Sequence, residues 1–501
     1  MQQQYLKNMT KNYDVIIIGA GLGGLTAASI LAKNRKRILL LEKNPIPGGY
    51  VVNFRRKGFE FDAGLHMMFG CQKNGSTYNI LNQCGVSRKI KFLKPEYLYR
   101  GIYPDFDFRV LQSNIQSYIK LLQQMFPPEK KGIKRLFKEI KNNYNGIYKF
   151  DRIGTLTHEF IFSINTTCDK LLNKYIEHPK LRTIIFQLWP YFGLPPSKLP
   201  FFYFCYPWYD FFEGGGFYPL GGGKAIINAL TKSITKNKGD ILFNHNVKKI
   251  IIKNNIAKGV IVNNGEEYFG KIIISNIDAC RTFKNLIEDK MLPSEFLREL
   301  NNIEPSISAF QIYLGLNIDL KNVGFPDYEV FINPDYDLER QFQDSVENNF
   351  DRVPYSMTGY SNLVKSYASK KRSTLVITVF SGYDFWRKLS NRDYKKTKEL
   401  MAMKLIKRAE DIIPRLSSYI DVQEVATPLT MERYTGNYKG AIYGWAPLIS
   451  QTGFRRMDSK TPIKNLYLAG AWTRPGGGTT GVMYSGKSIA EKILKMTTFE
   501  S

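Results

Sequence analysis

The stretch YDVIIIGAGLGGLTAASILAKNRKRILLLEKN, residues 13–44, constrains the fold more than any other part of this 501-residue chain. Residues 15–18 are a short, wholly apolar run, the pattern of a parallel strand buried on both faces. The turn Gly19-Ala20-Gly21-Leu22-Gly23-Gly24 fits G-x-G-x-x-G, and LTAASILAK behind it has helical spacing with small residues for packing on a sheet. A second strand, RILLLE, ends on Glu42, near the spacing of about 20 residues at which an acid meets ribose hydroxyls. Each part has a physical task. Gly19 permits the tight turn, Gly21 lets backbone approach a diphosphate, Gly24 lets helix meet strand, and the helix N-terminus offers its amides to phosphate. The order strand, turn, helix, strand, acid predicts an α/β, Rossmann-like dinucleotide-binding domain with Gly19, Gly21, Leu22, Gly23, Gly24, Glu42 and Lys43 at the ligand. An acid at position 42 disfavours a 2'-phosphate.

The next segment, NPIPGGYVVNFRRKGFEFDAGLHMMFG, sets Pro47-Gly48-Gly49 and GFEFDAG directly after that acid. Near the other end, NLYLAG is again a short apolar strand closed by glycine, and GVMYSGKSIAEKIL again has helical spacing, with AWTRPGGGTT irregular between them. Taken together, these segments resemble the FAD-dependent phytoene desaturase, carotenoid isomerase and retinol saturase family, within the amine-oxidase-like flavoprotein superfamily. The resemblance runs the length of the chain and is densest in motifs at these FAD segments. It implies non-covalent FAD and a fold in which a three-layer β-β-α FAD-binding domain is interleaved with a substrate domain of mixed sheet plus helices. It implies that Gly48 and Gly49 pass against the phosphates and ribityl chain, and that the backbone of Val247 meets the adenine. Gly470, Gly481, Val482 and Met483 are expected at the redox end, where a helix N-terminus faces the flavin edge that becomes negative on reduction. Many relatives carry an acid where this chain has Ala471-Trp472.

The expected FAD-binding domain takes residues 12–72, 214–296 and 425–497, and the substrate domain residues 73–213 and 297–424, after a flexible N-terminus of residues 1–11. Residues 73–212 have long mixed helical patterns. Their last part, LWPYFGLPPSKLPFFYFCYPWYDFF, is dense in aromatics and prolines, which either pack an irregular core or line an apolar tunnel or its membrane-facing mouth. Gly221 to Gly223 precede an amphipathic helix, and residues 241–278 alternate as antiparallel strands with turns at Asn254-Asn255 and Asn263-Asn264-Gly265. SISAFQIYLGLNI and STLVITVFSGYDFW suit a mixed sheet.

No apolar run reaches the roughly 18 residues that span a bilayer, and the first residues lack a secretory core, so the expected location is cytoplasmic, or peripheral on the inner face of a membrane. The formal charge of +27 fits either compositional drift of an AT-rich genome or a contribution from anionic lipid. No motif supports nucleic-acid binding. The five cysteines form no Cys-x-x-Cys pair and the histidines have no ligand spacing, so no metal is expected.

The family resemblance implies a flavin-dependent oxidoreductase that desaturates, saturates or isomerises double bonds of an isoprenoid polyene by hydride transfer at flavin N5. Alternatives are an FAD-dependent amine oxidase, marked by an aromatic cage with acidic steering, and a non-catalytic flavin- and lipid-binding protein. Expected partners are an apolar small molecule and an external electron acceptor or donor: a quinone, oxygen or a reductase. Candidates for the proton-handling and substrate-facing groups are His66, Glu213, Arg474 and Tyr484.

Overall fold

The computed structural model describes residues 12–112 and 114–498, so the expected N-terminal segment 1–11 lies outside the described residues. The first sheet has a parallel centre in the spatial order Asp240–Leu242, Ile38–Leu41, Asn12–Ile18, Glu267–Ser275 and Leu466–Leu468. Its strands are apolar throughout because both faces are covered. Val15 and Ile17 pack with the helix Leu22–Lys33, whereas Ile16 and Ile18 pack with Val247, Ile250 and Val260 on the other side. The hairpin Val247–Lys253 and Ile256–Val262 continues antiparallel from the first half of Glu267–Ser275 and forms that second β layer. Asn254 and Asn255 turn it with φ of 50° and 59°, the left-handed pair that the expected Asn-Asn turn requires. The helices Leu22–Lys33, Gly223–Lys236 and Thr479–Thr498 complete a β-β-α arrangement.

The second sheet has the order Ile420–Ala426, Ser308–Leu316, Ser373–Ser381, Tyr355–Thr358, Glu329–Ile332, Tyr97–Ile102 and Asp107–Leu111. Its strand Ser308–Leu316 is buried along its whole length and alternates strictly. Phe310, Ile312 and Leu314 pack beneath the sheet, and Ala309 and Tyr313 join the opposite core. The pair Tyr97–Ile102 and Asp107–Leu111 corrects the helical expectation for residues 73–212. Strands this short carry little periodicity of their own, and the first is fixed by parallel pairing with Glu329–Ile332, far away in sequence.

Around this sheet the helices Ile115–Met125, Lys130–Ile153 and His158–Asn165 pack on the aromatic run 201–213. That run widens into a π-helical turn at Phe204–Trp208, where Pro207 has no N–H to give. Its rings divide between packing a core and lining a cavity. Phe201, Phe204, Trp208 and Phe212 are core, while Phe202, Tyr203, Tyr206 and Phe211 line a cavity.

Helices Leu22–Lys33 and Thr479–Thr498 touch through glycine. A Cβ on Gly486 would lie 2.2 Å from the carbonyl oxygen of Gly23, and backbone cannot yield as a side chain does. Gly486→Ala is therefore expected to destabilise the protein by about 2 kcal/mol, seen as an earlier urea midpoint; an unchanged midpoint would show that the two helices can separate at no cost.

Candidate active site

One cavity of about 1480 Å³ runs from the first glycine turn, past the second, into the aromatic interior. A single small molecule usually occupies a pocket of roughly 300–1,000 Å³, so this space suits two ligands end to end. At its first end lie Gly19, Gly21, Leu22, Gly23, Glu42, Lys43, Gly48, Gly49 and Val247. Gly21 is the N-cap of helix Leu22–Lys33 and supplies no side chain to the first-turn amides, which leaves the positive helix end to a phosphate. Gly48, at φ +131°, bridges to Gly21 and would put a Cβ 2.7 Å from the carbonyl oxygen of Val51. Gly24 does not line the cavity. A Cβ there would meet the Gly19 oxygen at 2.3 Å, so it serves the strand-to-helix packing.

Glu42, only 6% exposed, also braces the turn: Oε2 accepts from the Ala20 N–H at 2.8 Å and Oε1 from the Asn44 N–H at 2.9 Å. Each oxygen keeps a lone pair for a ribose hydroxyl. Lys43 has its ammonium pushed down by burial and by Arg281, a second cation in the cavity wall. Two cations and an uncapped helix N-terminus fit the charge of a diphosphate. Arg281 had no sequence signal, because it reaches Lys43 only through folding of the segment after Glu267–Ser275.

The second turn lies against the first. Gly470, at φ +90°, donates its N–H to Ser485 Oγ at 3.0 Å, and Gly481 and Val482 line the cavity at the start of Thr479–Thr498. The Met483 side chain is wholly buried in the core, because the next position on the helix turns about 100° away from the wall, so only its backbone belongs to the helix end that faces the cavity. At the position of the missing acid, Trp472 is buried edge-on to Trp445 at 4.6 Å and donates to Asn437 Oδ1 at 3.3 Å. The loop is held by Arg456, 2% exposed, whose guanidinium donates to the carbonyls of Thr473 at 3.1 Å and Ala471 at 2.8 Å. Arg474 does line the cavity, but it braces the same loop, donating to Asp458 at 2.6 Å, to the Arg456 carbonyl at 3.0 Å and to the Phe454 carbonyl at 2.6 Å. Tyr484 lines the wall with the Lys487 ammonium 5.1 Å from its ring centre.

Deeper in, His66 lines the cavity and its Nδ1 lies 3.1 Å from Glu329 Oε2 and 3.1 Å from Thr358 Oγ1. The strand Glu329–Ile332 brings in Glu329, whose side chain has no exposed surface. Burial pulls the imidazole down, yet the Glu329 carboxylate outweighs it and raises the imidazole above its ordinary value. Glu213 does not join this site. It is exposed and outside the cavity wall because it ends the short helix Tyr209–Glu213 on the solvent side, while Asp210 and Phe211 face inward. The aspartate of GFEFDAG, Asp62, is structural: it has no exposed surface and accepts from the Tyr218 hydroxyl and the N–H groups of Leu65 and Gly223, each at 2.9 Å. Among the described residues no cluster of three or more His, Cys, Asp or Glu could hold a metal ion.

The raised His66 has a stability consequence with a definite sign. The pair stabilises fully below the unfolded imidazole value of about 6.5, and that contribution is lost as pH rises through the folded value. Glu329→Gln leaves burial and the Asp62 charge acting on the imidazole, so it should cost about 3 kcal/mol below pH 6 and progressively less as pH rises through the folded value, measured as urea midpoints across pH. A loss that stays the same from pH 5 until the protein unfolds in alkali would mean that the interaction does not depend on the imidazole proton.

The geometry agrees with known proteins. Residues 22–494 match the family model described as flavin containing amine oxidoreductase. The chain is 29% identical to prolycopene isomerase of Daucus carota over 97% of its own length and 80% of that protein's. It is 25% identical to all-trans-retinol 13,14-reductase of Danio rerio, covering 100% of this chain and 90% of that one. It is 24% identical to 4,4'-diapophytoene desaturase (4,4'-diapolycopene-forming) of a Methylomonas species, covering 97% and 96%. Among solved structures, a redesigned putrescine oxidase superposes with a TM-score of 0.68 at 14% identity over 97% of this chain and 99% of that one, a likeness of fold. Two glycine turns meeting over one long cavity, in a chain matched from its first glycine turn to its last helix, make this protein a member of the flavin-containing amine oxidoreductase family and a flavin-dependent oxidoreductase.

Proposed function

We propose that this protein binds FAD without a covalent bond and acts on the carbon–carbon double bonds of an isoprenoid polyene, by desaturation, saturation or isomerisation. The observation that carries this reading is the continuity of the cavity: the wall that begins with glycine and cation ends in Trp189, Tyr191, Phe211, Phe331 and Phe380. An apolar, aromatic wall of this kind holds a long hydrocarbon and keeps water from it. The relatives named for prolycopene, retinol and diapophytoene support the same class.

In this reading the first turn, with Lys43 and Arg281, holds the diphosphate, and Gly481 and Val482 set the ring. Bound FAD supplies hydride exchange at N5. His66 is the proton partner. Glu329 engages its Nδ1, which fixes the ring and leaves Nε2 as the atom that exchanges a proton with the substrate. An external quinone, oxygen or reductase completes the redox cycle.

The test is to incubate the FAD-loaded protein, oxidised and dithionite-reduced, with prolycopene, all-trans-retinol and diapophytoene, and to separate the products by chromatography. One polyene should change in bond number or geometry, and acid precipitation should release all the yellow cofactor. Peroxide formation from primary amines, with every polyene unchanged, would replace this reading by an amine oxidase.

We further propose that the mouth rests on a membrane surface. Tyr148 and Phe454 belong to the cavity wall yet are exposed, Phe454 at 49%, and Leu156, 57% exposed, and Ile161 stand close by in sequence to Phe160, whose ring packs on Phe454 at 5.7 Å. Among the described residues no helix is long and apolar enough to cross a membrane. Apolar side chains beside a basic surface suit anionic lipid. Flotation with phosphatidylserine vesicles should carry the protein, and the double variant Leu156→Asp/Phe454→Asp should stay in the dense fraction; no flotation of the wild type at low salt would end this reading.

A further inference from the structure

Among the described residues Arg456 is the only arginine or lysine that is buried, at 2% exposure, and it lines the cavity. Its guanidinium donates to four carbonyl oxygens, those of Ala471 at 2.8 Å, Thr473 at 3.1 Å, Trp445 at 3.1 Å and Gln451 at 3.4 Å. The Tyr203 side chain makes a further contact and is the group that opposes the pull of burial on the guanidinium. The hydrogen bonds are met, but the charge is not. No carboxylate acts on Arg456 among the described residues, and Asp458, two positions on, is held by Arg474 at 2.6 Å.

Arg408 shows the same kind of bracing with its charge balanced. It too donates to backbone carbonyls, those of Phe350 at 2.9 Å and Val353 at 2.8 Å, yet the carboxylates of Asp351 and Asp411 both act on it. Holding carbonyls requires N–H groups and no net charge, since a neutral side-chain amide donates as well. A cation taken out of water without a counter-ion is among the costliest groups to bury, so the negative charge that answers Arg456 belongs to a ligand.

Its position says which ligand. Ala471 and Thr473 lie in the loop between strand Leu466–Leu468 and helix Thr479–Thr498, and a Cβ on Gly476 of that loop would come within 3.2 Å of the guanidinium carbon. The loop leads into the helix start at Gly481 and Val482, where the flavin ring is set in the reading above. Flavin is neutral when oxidised and gains negative charge along one ring edge when reduced. The positive helix end and the guanidinium act together there, in a site drier than water that carries their field farther. We propose that Arg456 is the fixed counter-charge of the reduced flavin, so that the protein binds reduced FAD more tightly than oxidised FAD and the bound flavin is easier to reduce. Arg456 is a positioning residue in this role, because its N–H groups are spent on carbonyls and its charge acts through space. The inference rests on FAD as the cofactor.

The experiment uses the full chain loaded with FAD. Affinities for oxidised and dithionite-reduced FAD are measured by titration, and the potential of the bound flavin by equilibration with reference dyes. The wild type should prefer reduced FAD at least about tenfold, which places the bound potential about 30 mV or more above that of free FAD. Arg456→Gln, which keeps donors for the carbonyls and loses the charge, should lose most of that preference. Arg456→Lys, which keeps the charge and loses the guanidinium fork, should retain it. If both variants weaken the two redox forms alike and leave the potential unchanged, Arg456 is only a brace and the proposal is wrong. Equal binding of the two forms by the wild type also overturns it, whether or not either variant folds. All-trans-retinoate tests the other source of negative charge: loss of its binding in Arg456→Gln with the redox preference intact would assign Arg456 to an acidic substrate instead. Failure of the wild type to bind FAD at all overturns the FAD reading as well, whereas the other outcomes leave it standing.

Discussion

The side chain of Asn276, just past the strand Glu267–Ser275, is wedged between the two glycine turns, and the cofactor end of the molecule depends on how little room it has. Its Nδ2 donates to the Gly19 carbonyl at 3.2 Å. A Cβ would come within 2.7 Å of its Oδ1 at Gly23 and within 2.6 Å at Gly470. One amide thus stands against both turns, and only glycine lets the two backbones close on it. The glycines at residues 19–24 and at 470 therefore do two jobs at once: they admit a ligand to the cavity and make room for the half-buried Asn276 side chain, which lines that cavity too. Nothing local to either turn announces the second job.

Beyond that contact the molecule solves a problem of buried polarity in two different ways. Asp62, Arg456 and Trp472 sit deep beside the cavity with protein partners on every side, and each ties segments that are far apart in sequence. Arg456 is kept inside without a carboxylate; carbonyl oxygens and the Tyr203 side chain hold it, and burial pulls its guanidinium down. Their satisfied hydrogen bonds stiffen the loop that carries the second turn. His66 and Asp210 are only partly satisfied and open on the cavity. That difference separates the groups that hold the wall from those that can meet a ligand more sharply than residue type does.

Much of the cofactor end was legible in order along the chain, since strand, glycine turn, helix, strand and acid are local patterns, and the family resemblance implied the β-β-α arrangement. Glu213, Met483 and Arg474 show where such reasoning stops. Each lies in a stretch whose motif was recognised, yet side-chain direction and competing partners depend on neighbours brought from elsewhere. The hairpin at residues 97–111 was missed for the same reason, as its pairing partner arrives some 230 residues later, through the register of Val330 with Arg100.

By itself the sequence determined a dinucleotide-binding turn on a parallel sheet, because turn geometry and buried strands are written in consecutive residues, and its resemblance to a known family added the flavin. Only the tertiary structure decided what faces the substrate: that His66 is paired with Glu329, that half of the aromatic run is wall and half is core, and that Asp210 looks into the cavity. Those facts turn on contacts across both sheets, and the closing of a cavity between distant segments has no local signature.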